Sequence, residues 1–434
     1  MTGGQQSGPG DAHVDGRPLR ILFLTDNFPP EVNAPASRTH EHARVWARTG
    51  AKVTVITCAP NFPTGKVFPG YRNRLWQRES IDGIEVIRVW TYITANEGFA
   101  RRILDYLSFM VSAAIAGVLQ RRFDVVVGTS PQFFTACAAW FVGWVRRRPF
   151  VFELRDLWPE SIKAVGAMQA SRAIAWLERI EWFLYRRATR IVSVTQSFRQ
   201  RLVDGGIPTD KLAVVTNGAD LSRYQPCPKD PQLLQSLGLD GAFVAGYIGT
   251  HGMAHALETL LEAAARWNEA ESGPLRLLLV GDGAQKPALR QRALEMGLGE
   301  RVVFVDTVPK DEIARYWSVL DACIVHLRRT PLFETVIPSK LFESMAMGVP
   351  VLLGVAGEVR TIVEQTACGL PFTPEEPAAL LTVMQQLAAD EALRQQLSEA
   401  GVRGARHFDR EHLAARMLAI LRAVAARQTP TPQH

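Results

Sequence analysis

Two successive series of apolar, β-branched segments, separated by helix-forming stretches, constrain the fold of this chain more than any other feature. The first series opens with LRILFLTDNFPP, continues through a helical stretch ended by Gly50, and returns with AKVTVITCAP. Such runs are typical of buried parallel strands, and a strand–helix–strand unit of parallel strands is right-handed. Further strands are predicted at 84–90, 124–129, 150–154, 191–195 and 212–216. The first half therefore predicts one doubly wound sheet.

The series is interrupted at YQPCPKDPQ, where three closely spaced prolines disfavour both helix and sheet. It restarts with AFVAGYIGTHG and continues through LRLLLVGDG, RVVFVDTV, DACIVHL and PVLLGV, which predicts a second parallel sheet. We therefore predict an α/β protein of two Rossmann-like doubly wound domains that face each other across a cleft. The expected segments are a disordered tail at 1–18, an N-terminal domain at 19–225, a C-terminal domain at 226–405, a helix at 406–427 that packs back toward the N-terminal domain, and a tail at 428–434.

Composition and sequence pattern argue against a disordered, a membrane-spanning or a secreted protein. Apolar residues make up 47% and charged residues 21% of the chain, which is usual for a globular protein. The longest apolar stretch, residues 106–119, is shorter than the roughly 18 residues of a membrane-spanning helix, so we expect a buried or interfacial helix there. The N-terminus lacks the pattern of a secretory signal, and the five cysteines stand singly, which indicates reduced thiols and a cytoplasmic location.

Positive charge is concentrated between residues 99 and 202, where 16 Lys and Arg stand against 7 Asp and Glu. This excess is larger than the net charge of +6 of the whole chain. Runs such as WFVGWVRRRPF and WLERIEWFLYRR combine aromatic and basic residues, as interfacial helices do at anionic bilayers. We predict an anionic membrane surface as a partner; the alternative is a set of core aromatics beside a solvated basic face. Nucleic acid is not expected, because no recognition motif accompanies the basic residues.

A glycine-rich loop follows the first strand of the second series, with glycines at positions 246, 249 and 252 of GYIGTHG. Glycines let backbone N–H groups approach a phosphate at the start of a helix, and the side chains of Thr250 and His251 add donors. The alternative is a turn that is tight only for packing. The spacing matches neither a P-loop nor the G-x-G-x-x-G of dehydrogenases, which argues against both classes.

The segment RRTPLFETVIPSKLFESMAMGVPVLLG contains a helix predicted to begin near Ser339 and to end at Gly348. Lys340 and Glu343 lie on one face of that helix because they are three residues apart. A carboxylate suits two hydroxyl donors and a lysine suits a diphosphate, whereas the alternative is a surface ion pair. Arg328 follows the strand DACIVHL, at the edge where open α/β sheets bind ligands.

The string PSKLFESMAMGVPV resembles the donor-binding signature of glycosyltransferase family 4, whose members are retaining enzymes of the GT-B fold. The resemblance makes Glu343 the glutamate that holds the ribose of the nucleotide. Thr335 stands where the family has its first signature glutamate, and Glu334 is one residue away. The donor-binding residues implied by the loop and the helix together are Gly249, Thr250, His251, Gly252, Arg328, Thr335, Ser339, Lys340 and Glu343.

Two further motifs extend the resemblance. VVTNGAD resembles the family's element between the domains, which assigns that position to Asn217, Gly218 and Asp220. VFELRDLWPES resembles a subgroup that includes bacterial N-acetyl-L-fucosamine transferases of surface polysaccharide synthesis. Arg155 and Asp156 then stand at the end of a strand and point into the cleft; the alternative is that they pair with each other or with neighbouring helices.

The opening strand, with its loop and helix, resembles the first βαβ unit of the family, which implies an acceptor loop with Asn27, Phe28 and His40. In the same motif that carries Arg155 and Asp156, Trp158 is expected either to face a sugar ring or to lie in the core. The residues implied for catalysis are Asp156, Arg155 and Lys340.

The resemblance implies a retaining glycosyltransferase that moves a hexosyl or N-acetylhexosaminyl group, such as N-acetylfucosamine, from UDP to a lipid-linked glycan. The expected process is synthesis of a cell-surface polysaccharide such as O-antigen or capsule, at the inner face of the plasma membrane. No metal and no cofactor other than the nucleotide sugar are expected. The alternatives are a non-hydrolysing nucleotide-sugar epimerase and a GT-B binding protein that has lost catalysis.

Overall fold

A computed structural model of the chain describes residues 12–427 apart from residues 15, 63, 95–98, 131 and 158–171. Two compact units are present: unit 1 comprises the residues up to Thr216 and those from Arg410, and unit 2 is Asn217–Asp409. The predicted boundary at 225/226 is therefore too late. The residues after Thr216 belong to unit 2 because Ala219 forms a parallel bridge with Asp409 and its N–H donates to the Phe408 carbonyl at 3.1 Å.

Unit 1 is built on a sheet of eight strands in the order β10-β9-β8-β7-β3-β4-β6-β5. Neighbouring strands are parallel except for β5, which pairs with β6 in antiparallel register at the edge. Every residue of β7 and β8 is buried, which explains their continuous apolar sequence. The strands of unit 1 are β1 His13–Val14, β2 Arg17–Pro18, β3 Arg20–Leu24, β4 Lys52–Cys58, β5 Trp76–Ile81, β6 Ile84–Val89, β7 Val125–Thr129, β8 Phe150–Leu154, β9 Arg190–Ser193 and β10 Leu212–Val214.

Helices cover this sheet. The first begins after Asn33, whose side chain accepts a hydrogen bond from the N–H of Ala36 at 2.9 Å, and proline stands in its first turn. The helices of this part of unit 1 are α1 Ala34–Arg48, α2 Phe99–Leu119, α3 Phe133–Arg146, α4 Arg172–Arg187 and α5 Gln196–Asp204, with a 3₁₀ turn at Thr209–Lys211.

The helix α2 is longer than the apolar stretch at residues 106–119, because it begins at Phe99. It is the one helix in the described ranges that is long and apolar enough to cross a membrane, by length and composition alone. It nevertheless takes part in the helix layer of unit 1, because Phe109, Ala113 and Ala116 are buried and the helix packs on α3.

Unit 2 is a fully parallel sheet of six strands in the order β13-β12-β11-β14-β15-β16. Its strands are β11 Phe243–Ile248, β12 Leu275–Val280, β13 Val302–Val305, β14 Ala322–His326, β15 Val351–Gly354 and β16 Gly369–Pro371. Its helices are α6 Pro231–Ser236, α7 Glu258–Ala265, α8 Glu269–Ser272, α9 Lys286–Glu295, α10 Ile313–Ser318, α11 Lys340–Met347, α12 Glu358–Thr366, α13 Pro377–Ala389 and α14 Glu391–Ala405, with 3₁₀ turns at Met253–His255, Phe333–Thr335 and Arg406–Phe408.

The last helix, α15 (Arg410–Ala426), belongs to unit 1 and packs on α1. The indole N–H of Trp46 donates to the carbonyl of Ala414 at 2.8 Å, and Arg410 pairs with Glu41. The helix thus begins later than the predicted residue 406, which lies in unit 2. Its apolar residues, including Leu421, share a core cluster with the first unit's strands.

The predicted disordered tail at 1–18 is wrong for its last residues. β1 and β2 form a short antiparallel hairpin. Ala12 and Val14 are buried in the same core cluster as α15, so burial of apolar side chains orders this segment. The predicted tail at 428–434 and Trp158 lie outside the described residues.

Candidate functional site

The centre of the sheet of unit 2 is a topological switch point. β11 pairs with β12 on one side and with β14 on the other. After β11 the chain continues to β12 toward one edge of the sheet, and after β14 it continues to β15 toward the other edge. Open α/β sheets bind ligands beyond the carboxyl ends of such strands. The loop after β11 and the residues after β14 meet there, because the N–H of Arg328 donates to the Ala254 carbonyl at 2.9 Å.

The glycine-rich loop after β11 is held by a second glycine-rich turn after β12. Gly281 and Gly283 of this turn pack directly on the backbone of the loop. A Cβ at Gly281 would stand 2.0 Å from the Gly249 carbonyl oxygen, and a Cβ at Gly283 would stand 2.5 Å from the His251 carbonyl oxygen. Both glycines also have positive φ values, at 136° and 156°. The segment LRLLLVGDG predicts only a strand of the second sheet, and its two glycines, which shape the loop, are not among the predicted site residues.

Part of the loop backbone is already engaged. The N–H groups of Gly249 and His251 donate to the carbonyls of Val280 and Asp282, each at 2.9 Å. Those of Thr250 and Gly252 have no acceptor among the residues that the structure places, so they can donate to water or to a bound ligand.

The loop does not lead straight into a helix as expected. A 3₁₀ turn and the left-handed residue Ala256 (φ 44°) intervene, so α7 begins only at Glu258. The first turn of α7 also carries that acidic side chain. The start of this helix is therefore separated from Gly252 by the turn Met253–His255, whereas the sequence predicts that the helix directly follows the loop.

Lys340 lies beneath this loop. It is the first residue of α11, and the helix ends at the left-handed Gly348, as the sequence predicts. Its Nζ stands 3.3 Å from the centre of the Tyr247 ring, and within the described ranges it has no hydrogen-bond partner. Burial lowers the pKa of Lys340 to about 7, against the weaker opposing effect of charges such as that of Glu343. A buried cation that lies between an aromatic ring and a glycine loop can bind an anionic ligand.

Three neutral histidines complete this region. His251 is fully buried, and neither ring nitrogen finds a hydrogen-bond partner in the described part of the chain. Burial, with Lys286 and Lys340 nearby, lowers the pKa of His251 to about 4, and burial lowers that of His255 to about 3. His326 accepts the N–H of Glu375 at Nε2 (2.9 Å), so its Nδ1 donates to the His255 carbonyl at 2.8 Å.

Arg328 is more constrained than the sequence suggests. Its guanidinium contacts Glu258 at 2.7 Å and Glu375 at 3.4 Å, and its Nε donates to the carbonyl of Met253 at 2.6 Å. It would have to give up a carboxylate to reach a phosphate. Lys340 is thus better placed than Arg328 to supply uncompensated positive charge.

The remaining predicted donor residues lie around the start of α11. Thr335 ends a 3₁₀ turn and its hydroxyl donates to the Leu332 carbonyl at 2.6 Å. Ser339 precedes the helix without a side-chain capping bond, and Glu343 is half-buried one turn after Lys340. The backbone of Glu334 is in contact with Gly357, where a Cβ would stand 1.9 Å from its carbonyl oxygen.

In unit 1, Arg155 and Asp156 follow β8, as predicted, at the carboxyl end of the sheet. Both N–H groups donate to the hydroxyl of Ser130, at 2.8 and 3.0 Å. The guanidinium of Arg155 donates to the carbonyls of Ala34 and Pro35, at 3.2 and 3.3 Å, and burial lowers its pKa to about 10. Arg155 therefore ties the end of β8 to the start of α1.

The predicted acceptor loop has one member in the core. Phe28 is fully buried and contacts the ring of His40 edge to face, so it is unavailable to an acceptor. Its burial among apolar residues of β3, α1 and α15 explains the error. His40 Nε2 is 2.8 Å from the Asp82 carboxylate, and the Asn27 side chain accepts from that of Asn33 at 2.5 Å. Asn217, Gly218 and Asp220 directly follow the last residue of unit 1's first segment.

Sequence reasoning missed three carboxyl groups of unit 1, the buried Glu31 and the half-buried Asp26 and Asp105. Burial raises the pKa of Asp26, raises that of Glu31 to about 7 and raises that of Asp105 to about 6; the charge of Asp26 adds to the last two shifts. Glu31 accepts the N–H groups of Asn61 and Phe62 at Oε1, while its buried Oε2 is unpartnered within the described ranges. Only the position of Asp26, just after a strand, gave a sequence signal.

Family models match both halves of the chain. Residues 33–218 match the model of the glycosyl transferase 4-like domain, and residues 242–390 match that of glycosyl transferases group 1. A curated relative is the putative colanic acid biosynthesis glycosyl transferase WcaI of Escherichia coli K12. It is 24% identical over 338 residues, which cover 76% of this chain and 82% of the relative.

Solved structures share the fold. The sucrose-phosphate synthase of Thermosynechococcus elongatus has a TM-score of 0.73 at 17% identity, with 94% of this chain and 100% of that chain covered. Anabaena Alr3699/HepE in complex with UDP-glucose has a TM-score of 0.69 at 18% identity, with 93% and 98% covered. The chain therefore has the fold of GT-B glycosyltransferases, with two Rossmann-like domains.

Proposed function

We propose that this chain, which carries a glycosyl transferase 4-like domain and a glycosyl transferases group 1 domain, transfers a sugar from UDP to a lipid-linked glycan. The observation that carries the proposal is Lys340, whose buried ammonium group lies under the glycine loop without a hydrogen-bond partner in the described residues. A diphosphate at this point would neutralise it and would accept the N–H groups of Thr250 and Gly252.

The donor proposed is a UDP-sugar, with the nucleotide in unit 2. Two observations support it. Alr3699/HepE, which shares the fold, is seen in complex with UDP-glucose. Glu343 stands one turn after Lys340 on the same helix, so one helix would present a carboxylate to the ribose hydroxyls and an amine to the diphosphate of a bound nucleotide. The sugar proposed is a hexose or an N-acetylhexosamine such as N-acetylfucosamine.

The reaction proposed retains the anomeric configuration and uses no metal, as the family resemblance implies. The bond between C1 and the diphosphate oxygen breaks while a bond from C1 to the acceptor oxygen forms on the same face. The acceptor proton ends on the departing phosphate. Lys340 and the free loop amides would stabilise the charge that develops on that phosphate, which is a large term in such transfers. Arg155 and Asp156 would position the acceptor.

The acceptor proposed is a lipid-linked saccharide of cell-surface polysaccharide synthesis, on the cytoplasmic face of the membrane. The name of the relative WcaI, which refers to colanic acid biosynthesis, supports this class of product. The excess of basic residues between 99 and 202 supports an anionic membrane surface as the place of reaction. Retention of configuration is checked by the anomeric proton coupling of the product.

The test is thermal unfolding with UDP, GDP, ADP and dTDP and their common sugar conjugates. A ligand at 100 times its dissociation constant stabilises the protein by about 2.7 kcal/mol. We expect UDP and one UDP-sugar to raise the unfolding temperature of the wild type and of the control Glu364→Ala, whose side chain is an exposed ion-pair partner of Arg360. The same ligands should not stabilise Glu343→Ala. Stabilisation by none of the nucleotides would contradict the proposal, and full stabilisation of Glu343→Ala would contradict the ribose assignment.

A further inference from the structure

An apolar groove runs between α2, α3 and α4 on the helix layer of unit 1. Its volume is about 580 Å³, within the usual range of small-molecule sites. Every lining side chain is apolar apart from the thiol of one cysteine. Its lining includes Met110, Ala114, Cys137, Trp140, Phe141 and Phe183.

The rim of this groove is exposed. Val111, Ile115 and Leu119 project from one face of α2 at four-residue spacing and are 53%, 58% and 62% exposed. Trp144 of α3 is 67% exposed and stacks on Trp140. Monomeric globular proteins rarely leave contiguous apolar surface of this kind open to water, so the groove and its rim indicate an apolar partner.

The groove lies away from the edge of the sheet where ligands of the reaction are expected. It occupies the C-terminal half of α2, which leads to the amino end of β7. The ends of α2 and α3 meet there, because the guanidinium of Arg146 donates to the Arg121 carbonyl at 3.1 Å. Open α/β sheets bind the ligands of their reactions beyond the carboxyl ends of the strands, so the groove is separate from that site.

Exposed arginines stand where the three helices end. Arg121 and Arg122 follow α2, Arg147 and Arg148 follow α3, and Arg186 and Arg187 close α4. The guanidinium of Arg187 lies 5.4 Å from the centre of the Phe183 ring, which itself lines the groove. Guanidinium groups beside an apolar groove match a molecule that joins a phosphate to a hydrocarbon chain.

We propose that this groove holds one hydrocarbon chain of an anionic phospholipid of the bilayer, with its phosphate among the arginines at the ends of α2, α3 and α4. The exposed rim then enters the hydrocarbon boundary beside the bound chain. The inference rests on the proposed membrane association and is independent of the proposed sugar transfer.

The experiment is flotation with vesicles of phosphatidylglycerol and phosphatidylcholine in equal amounts. Ala114→Phe fills the groove from its wall and leaves the rim and the arginines unchanged; Ile115→Glu alters the rim. Leu294→Glu, at a leucine of unit 2 that is 68% exposed, is the matched control. We expect the partition coefficient of Ala114→Phe to fall about tenfold, because buried methylene groups drive chain binding, and that of the control to stay unchanged. Thermal unfolding of each variant without lipid checks that it folds.

A second measurement distinguishes a lipid chain inside the groove from lipid contact at the rim. Phosphatidylglycerol with brominated chains should quench tryptophan fluorescence in the wild type, and both Trp140→Phe and Trp144→Phe should reduce the quenched fraction. If Trp140→Phe is quenched like the wild type, or Ala114→Phe floats like the wild type, no chain occupies the groove.

Two other outcomes would overturn the lipid proposal, one through the membrane association and one through a dimer of the chain. A wild type that does not float overturns the membrane association as well, whereas nucleotide stabilisation tests the transferase proposal separately. A lipid-free dimer that Ile115→Glu converts to monomer would mean that a second copy of the chain covers this face, and would overturn the lipid proposal.

Discussion

The two units differ in the ionisable groups that are desolvated at the carboxyl edges of their sheets. Unit 2 buries the ammonium group of Lys340, whose pKa falls to about 7 because it is desolvated. Unit 1 holds the buried Glu31 and the half-buried Asp105, whose pKa values rise to about 7 and about 6 for the same reason. A buried cation favours an anionic ligand, whereas carboxyl groups that keep their protons near neutral pH suit uncharged hydroxyls. The difference therefore supports the proposal of a diphosphate bound by unit 2 and an acceptor bound by unit 1.

The largest effect is expected from removing the cation of unit 2. Lys340→Met should weaken binding of the nucleoside diphosphate about 100-fold, because a charge-assisted contact in a desolvated site is lost. The ligand-free variant should unfold at the same temperature or higher, since a buried unpaired charge is replaced by an apolar chain. Isothermal titration calorimetry and thermal unfolding measure the two effects.

The control for this variant is Lys229→Met. Lys229 is a half-exposed cation of the same unit that pairs with Asp321 at 2.7 Å. It should bind nucleotide like the wild type. Equal affinities for Lys340→Met and the wild type would remove Lys340 from the diphosphate site.

The next effect tests the shape of the loop above Lys340. Gly281→Ala should destabilise the protein by about 2 kcal/mol and weaken nucleotide binding, because its Cβ would stand 2.0 Å from the Gly249 carbonyl oxygen in a backbone region that suits glycine. Gly299→Ala is the control, since a Cβ there meets nothing within 4 Å. Urea unfolding and calorimetry follow both. If the two alanine variants behave alike, the contact between the glycine turns does not hold the loop.

The pH dependence of nucleotide affinity sharpens the contrast further. In the free protein Lys340 loses its proton as the pH rises through about 7, and a bound diphosphate restores the charge. Binding therefore takes up a proton above pH 7, and the affinity should fall by up to about tenfold per pH unit there. Calorimetry in buffers of different ionisation enthalpy counts the proton. The dependence should be absent in Lys340→Met; its persistence there would assign the proton to another group.

The sequence predicts the sheets well where strands are buried on both faces. β7 and β8 read as continuous apolar runs because each of their residues is buried. The edge strand β5, with its sequence WQRESI, alternates between half-buried and exposed residues and gave no such signal. Likewise β1 and β2 are two residues each, too short for any periodicity.

The site is predictable only where a local motif defines it. The helix of Lys340 and Glu343 lies between Ser339 and Gly348, as its capping pattern predicts. The partners of Arg328 are Glu258 and Glu375, which lie far away in the chain, so no local pattern could indicate that its charge is compensated. Burial of the Lys340 ammonium group and of Glu31 arises in the same way from tertiary packing.

The smallest effect is expected in unit 1, with the opposite dependence on pH. The pKa of Glu31 is raised from 4.5 to about 7, so the native state holds a proton between these values that the unfolded chain has lost. The stability that Glu31 contributes is therefore full below pH 4.5 and is lost as the pH rises through about 7. Glu31→Gln has no proton to lose at this position, so its stability relative to the wild type should rise with pH over that range.

Lys340 gives the reverse slope. Its pKa is lowered from 10.5 to about 7, so its destabilising effect is full below pH 7 and disappears as the pH rises toward 10.5. Urea unfolding of Glu31→Gln, Lys340→Met and the wild type from pH 4 to pH 10 should therefore show stability differences that change with pH in separate windows, below about pH 7 for Glu31 and above it for Lys340. Glu85→Gln, at an exposed glutamate of β6, should follow the wild type throughout. A difference in free energy of unfolding between Glu31→Gln and the wild type that stays constant with pH would mean that Glu31 is ionised in the native state. The two units would then not differ in the ionisation of their desolvated groups.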